Sequence, residues 1–117
     1  MIGSGVYEVD LDGEIIGFEF GMLASSYTEE ASNLSIFEVF QKIGSGRGTK
    51  HLLNYFYGGA RAYYEFREDE RKVSVAIVSR WADKIGLQKM MEIYLKSIEA
   101  YLPKNGKAPK ETGQEVA

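Results

Sequence analysis

The chain has 117 residues, no cysteine, a formal net charge of −3, 44% hydrophobic residues and eight tyrosines with six phenylalanines. That is enough for one aromatic-rich core and not for two. It excludes disulfides, thiolate nucleophiles and Cys-based zinc sites, and it lacks the basic surface that a general nucleic-acid binder needs. No apolar run reaches membrane-spanning length, and Met1 to Gly5 carries neither the basic nor the apolar region of a signal peptide. The expectation is a soluble, intracellular protein with neither nucleic acid nor membrane as partner.

Val6 to Asp10 and Glu14 to Phe20 flank the turn signal Asp12-Gly13. Tyr7, Val9 and Leu11 alternate with Glu8, Asp10 and Asp12, and Ile16, Phe18 and Phe20 alternate with Gly17 and Glu19. Period two on both sides of Asp-Gly predicts a β-hairpin with one buried face. A lone hairpin is marginal, so helices must cover it. Met22 to Ala31 is read as a short helix. Ser35 with Glu38 three residues on forms a capping box, and Ile36, Phe37, Val39, Phe40 and Ile43 supply the apolar positions of the helix it opens. Gly44 to Gly48 stops that helix.

Thr49 is read as the cap of a third helix, with Leu52, Leu53, Phe56, Ala60 and Tyr63 at helical spacing. Gly58-Gly59 falls inside it at about 1 kcal/mol per glycine relative to alanine. The expected return is close approach of another backbone, or a kink. Arg67 to Lys72 is a charged turn. Val73 to Val78 is β-branched enough for a strand, but Val75, Val78, Trp81, Ala82 and Ile85 fit the helical period, so a helix capped by Ser74 is preferred. Gly86 ends or bends it into a last amphipathic helix carrying Leu87, Met90, Met91, Tyr94, Leu95, Ile98, Tyr101 and Leu102. The fold class is therefore α+β: an N-terminal β-hairpin packed against about five mostly short helices. Residues 1–102 are read as one globular unit, and residues 103–117 as a polar, disordered tail.

Several patterns invite a chemical reading. Glu8 to Glu19 approaches a twelve-residue calcium loop, with acids at positions one, three, five and twelve and glycine at six. Against it, the flanks alternate like strands and no room precedes it for an entering helix. Gly44-Ser45-Gly46-Arg47-Gly48-Thr49-Lys50 departs from a phosphate loop, which needs Gly-Lys-Ser/Thr after a buried strand. His51, the single histidine, has no local nucleophile or acid partner. The expectation is no catalytic residue, no metal and no cofactor.

The aromatic pairs point elsewhere. A helix cannot bury Tyr55-Phe56-Tyr57 and Tyr63-Tyr64 on one face, because adjacent residues diverge by about 100°. With Phe56 and Tyr63 inward, Tyr57 and Tyr64 are left on a second face suited to an interface, unless this helix lies between two layers of its own chain. Met90, Met91 and Tyr94 pose the same choice between core and contact surface, and methionine adapts to varied partners.

The succession of elements resembles a known family. A short acidic hairpin from Tyr7 to Phe20 leads into a helix at Met22-Leu23-Ala24, then Ser35-Ile36-Phe37-Glu38 opens a capped helix. The stretch Leu52-Leu53-Asn54-Tyr55-Phe56-Tyr57-Gly58-Gly59-Ala60-Arg61 follows, then two helices and a Lys-bearing polar tail. Over residues 6–102 this resembles the tail assembly chaperones of long-tailed bacteriophages. The resemblance implies a non-enzymatic protein of phage or prophage origin, working in the bacterial host's cytoplasm and absent from the mature virion. Such chaperones coat the tape measure protein, keep it soluble and bring in tail tube subunits. Many also occur in a longer form made by a −1 ribosomal frameshift, and Pro103-Lys104-Asn105 is compatible with codons on which a ribosome slips.

A long amphipathic helix aggregates through its apolar stripe unless a groove receives its anchors. Met90, Met91, Tyr94, Ile98 and Tyr101 are assigned to such a groove or to self-association. The alternative is a small structural or adaptor subunit that stays in a phage or prophage tail particle.

Overall fold

A computed structural model describes residues 5–101, apart from the side chain of residue 100. Two strands, β1 (Val6–Leu11) and β2 (Glu14–Glu19), precede five helices: α1 (Met22–Ser32), α2 (Ile36–Gly44), α3 (Thr49–Phe66), α4 (Val75–Ile85) and α5 (Leu87–Ser97). A 3₁₀ turn, Ile98–Tyr101, follows α5. The fold is α+β, an N-terminal hairpin followed by five helices. Leu102 and the tail expected from Pro103 lie outside the described residues.

The hairpin turns at Asp12 (φ 55°) and Gly13 (φ 91°), the double left-handed geometry of a type I′ turn. Asp10 Oδ1 accepts the Gly13 N–H at 2.8 Å. The register pairs Tyr7 with Phe18 and Val9 with Ile16, so the apolar members of both strands share one face, with Ile16, Phe18 and Phe20 fully in the core.

α2 opens on the predicted capping box: Ser35 Oγ accepts the Glu38 N–H at 3.1 Å and Glu38 Oε1 accepts the Ser35 N–H at 2.9 Å. Its inner stripe is Ile36, Val39 and Ile43. Phe37, a full 100° round from Ile36, faces solvent instead. α3 is capped by Gly48 rather than Thr49, which forms the helix's first residue. The chain passes so close to the end of α2 that a Cβ on Gly48 would lie 2.6 Å from the Lys42 carbonyl oxygen.

α3 is the axis of the molecule. It packs along α1 and β2 and touches α2 and α4. A Cβ on Gly58 would lie 2.5 Å from the Ala24 carbonyl oxygen and closer still to Thr28 Oγ1. The Gly58-Gly59 pair thus lets α1 settle against the α3 backbone, with the Phe20 ring over Gly59. Ser74 caps α4 through the Ile77 N–H at 3.2 Å, as the helical period of Val75 to Ile85 predicts. Gly86 (φ 93°) makes the elbow to α5; its N–H reaches Ala82 O at 2.8 Å and its carbonyl accepts from Met90 at 3.0 Å.

The core centre is Tyr55. Phe20 stacks on it at 4.6 Å, and Tyr94 meets it edge-on at 5.3 Å. Its hydroxyl lies 2.6 Å from Ser97 Oγ, which donates to Tyr94 O. These contacts moor α5 to α3 with every buried polar atom of the trio partnered, as low-dielectric surroundings require.

Candidate protein-docking surface

The seven residues singled out for contact do not share one surface. Met90 and Tyr94 are only 2% and 5% exposed. With Ile93 and Ser97 they form the inner stripe of α5, and the α3–α5 mooring consumes them. Tyr64 is 6% exposed, and its hydroxyl accepts the Gly17 N–H at 3.2 Å. In this register Gly17 turns its N–H away from β1, so Tyr64 closes the open edge of β2. These three are core residues. The hairpin and α3's other neighbours claim surface that sequence spacing leaves open, which is the case of a helix held between layers of its own chain. Tyr55, to which spacing assigns no face, is fully buried for the same reason.

Burial raises the phenol pKa of Tyr64, Tyr94 and Tyr101. The neutral phenol is therefore favoured at all three, and the Tyr64 and Tyr101 hydroxyls use it in hydrogen bonds. Tyr101 is half-buried, donates to Gly21 O at 3.3 Å and packs edge-on to Phe40. It borders a groove of about 490 Å³ beside the exposed Met22 and Phe37. Tyr57, half-buried, accepts from Arg61 at 3.0 Å and shares a cleft of about 780 Å³ with Tyr64.

Met91 and Ile98 keep partial exposure, and the structure adds two residues to them. Leu87 and Leu95 are 68% and 62% exposed, four residues either side of Met91. Leu87, Met91 and Leu95 thus make a second apolar stripe beside the buried one. The signal for this stripe was in the sequence. The apolar residues of α5 sweep roughly 200° of a 100°-per-residue helix, about twice the arc one core face needs. At its N-terminal end the stripe opens into a notch of about 360 Å³ where Leu87 and Met90 meet Leu52, Leu53 and Ala82.

The acidic hairpin is engaged within the fold. Tyr63 donates to Glu8; Glu14 and Glu19 pair with Arg71 and Arg67; Asp12 lies 3.6 Å from Lys84. The stretch with calcium-loop spacing is the hairpin itself, with no entering helix among the described residues. Three arginines of this region also stand over tyrosine rings: Arg61 on Tyr27, Arg67 on Tyr63 and Arg71 on Tyr64, at 4.0, 3.8 and 5.4 Å. They strap α1 and β2 to α3, each contact contributing about 1 kcal/mol or less at such exposure. Among the described residues no three His, Cys, Asp or Glu side chains gather as a metal site. The glycine loop before Lys50 follows helix α2, not a strand, and His51 sits in the first turn of α3. No described helix is long and apolar enough to cross a membrane. No protein-family model, no curated protein and no solved structure matches the chain.

Proposed function

We propose that this chain is a non-enzymatic tail assembly chaperone of a long-tailed phage or prophage, which binds the tape measure protein in the bacterial cytoplasm and helps recruit tail tube subunits. The observation that supports this reading is the Leu87–Met91–Leu95 stripe on α5. The helix is fixed to the core by its other face through Tyr55, Tyr94 and Ser97, so the stripe is held outward at no further ordering cost. Spacing by four residues matches the apolar anchors of an amphipathic helix lying alongside, and the Leu53–Met90 notch receives a side chain at one end. Many copies bound along one long partner would gain by avidity, and two copies can pair through the same stripe.

The test is coexpression with the tape measure protein of the same genome, scored by how much of that protein stays soluble and copurifies. Met91→Glu with Leu95→Glu abolishes the effect and leaves the chaperone folded. Retention of full activity in that variant overturns the assignment of the stripe. Mass spectrometry of purified particles separates the adaptor reading: a stoichiometric presence in finished tails makes the chain a structural subunit instead.

A further inference from the structure

We infer that the cleft between α3 and α4 is a second docking site, built for a lysine- or arginine-bearing amphipathic segment of a partner protein. One wall is the face of α3 on which Tyr57, Arg61 and Tyr64 recur at intervals of four and three. The opposite wall is Val73 and Ile77, and the space between them is about 780 Å³, within the size range of functional pockets. Tyr64 is buried at the base, with Arg71 already over its ring, and Tyr57 keeps partial exposure; a tyrosine so placed concentrates binding energy in an interface, and its ring face attracts a cation.

Charge decides the occupant. Four carboxylates line the cleft, Glu65, Glu68, Asp69 and Glu70, against three cations, Arg61, Arg71 and Lys72. Both guanidiniums are already matched by acids outside the lining: Arg61 faces Glu30 at 3.7 Å, and Arg71 pairs with Glu14. Lys72 is left against four acids. Glu65 accepts from Tyr27, and Asp69 accepts the Arg71 N–H at 2.8 Å. Glu68 and Glu70 have no ion-pair partner among the described residues. The rim they occupy is fastened to the helix end, since Asp69 N–H reaches Tyr64 O at 2.9 Å and Glu68 N–H reaches Glu65 O at 3.0 Å. An apolar floor under an acidic rim complements a helix with aliphatic anchors flanked by cations, and it repels the acidic counterpart.

This site is independent of the α5 stripe, and its test keeps the two apart. The probe is a synthetic helical peptide with leucines at i, i+3, i+4 and i+7 and lysines on their flanks, titrated into the ¹⁵N-labelled full chain. A glutamate-flanked peptide of the same leucine pattern is the control. The lysine peptide moves the amide signals of Tyr57, Tyr64, Val73 and Ile77, and the glutamate peptide does not. Glu68→Lys with Glu70→Lys weakens the lysine peptide by about tenfold or more. Both residues are exposed, and unchanged circular dichroism verifies that this variant folds. Met91→Glu leaves the affinity unchanged. Equal binding of both peptides, shifts confined to Leu87, Met91 and Leu95, an indifferent charge-reversal variant, or no shifts at all each overturns the site and leaves the α5 proposal standing.

Discussion

Helices α3 and α5 each carry large apolar side chains over more than one face, aromatic in α3 and mostly aliphatic in α5, yet they end in different situations. α3 has β2, α1, α2 and α4 around it, so ten of its residues are buried, including both Tyr63 and Tyr64. α5 is moored on one side alone and keeps Leu87 and Leu95 in solvent. The contrast shows that apolar content states how much surface a helix offers for burial. The number of neighbours states how much of that surface the fold takes. What remains on α5 is the surface available to another molecule.

High pH should first break the buried tyrosine cluster that α3 shares with α5 and the 3₁₀ turn. Burial is the leading cause that raises the phenol pKa of Tyr55, Tyr64, Tyr94 and Tyr101. A raised folded-state value means the neutral phenol is favoured in the native chain. The associated stability is intact below the unfolded phenol value of about 10 and is lost as pH rises past it through the raised values. Urea titrations at increasing pH should show the midpoint falling above that value, with these phenols ionising only as the chain opens. A midpoint that does not fall at alkaline pH would contradict their burial.

Gly58→Val comes next. The new side chain meets Ala24 O and Thr28 on α1, so α1 must leave α3 or α3 must bend. A loss of about 3 kcal/mol or more is expected in chemical denaturation. A loss below about 1 kcal/mol would mean that the α1–α3 approach is looser than described.

The sharpest comparison is between two adjacent methionines. Met90→Ala empties a core position and should cost about 3 kcal/mol. Met91→Ala, one residue on and half outside, should change stability by about 0.5 kcal/mol or less. Equal costs at the two positions would erase the distinction between the inner and outer stripes of α5.

Much of the local structure was legible because its causes are local. Asp12-Gly13 between alternating runs made the hairpin, Ser35 and Glu38 made the capping box, and Ser74 with the period from Val75 to Ile85 decided helix over strand. The candidate site was only half legible. Met91 and Ile98 stayed accessible, whereas Met90, Tyr94 and Tyr64 went into the core and Leu87 and Leu95 came out. Spacing tells which residues share a helix face, but it does not tell which face a neighbour will cover.

The division follows the range of the forces. Turns, caps and periodicity arise from atoms a few residues apart, so the chain specifies them wherever it folds, and its acidic, tyrosine-rich composition is equally intrinsic. The partnership of Tyr64 with Gly17, of Tyr55 with Ser97 and of Gly58 with α1 joins residues 47, 42 and about 30 positions apart. Those pairings exist only once the helices have docked. They settle which of two apolar stripes on α5 becomes core and which stays in solvent.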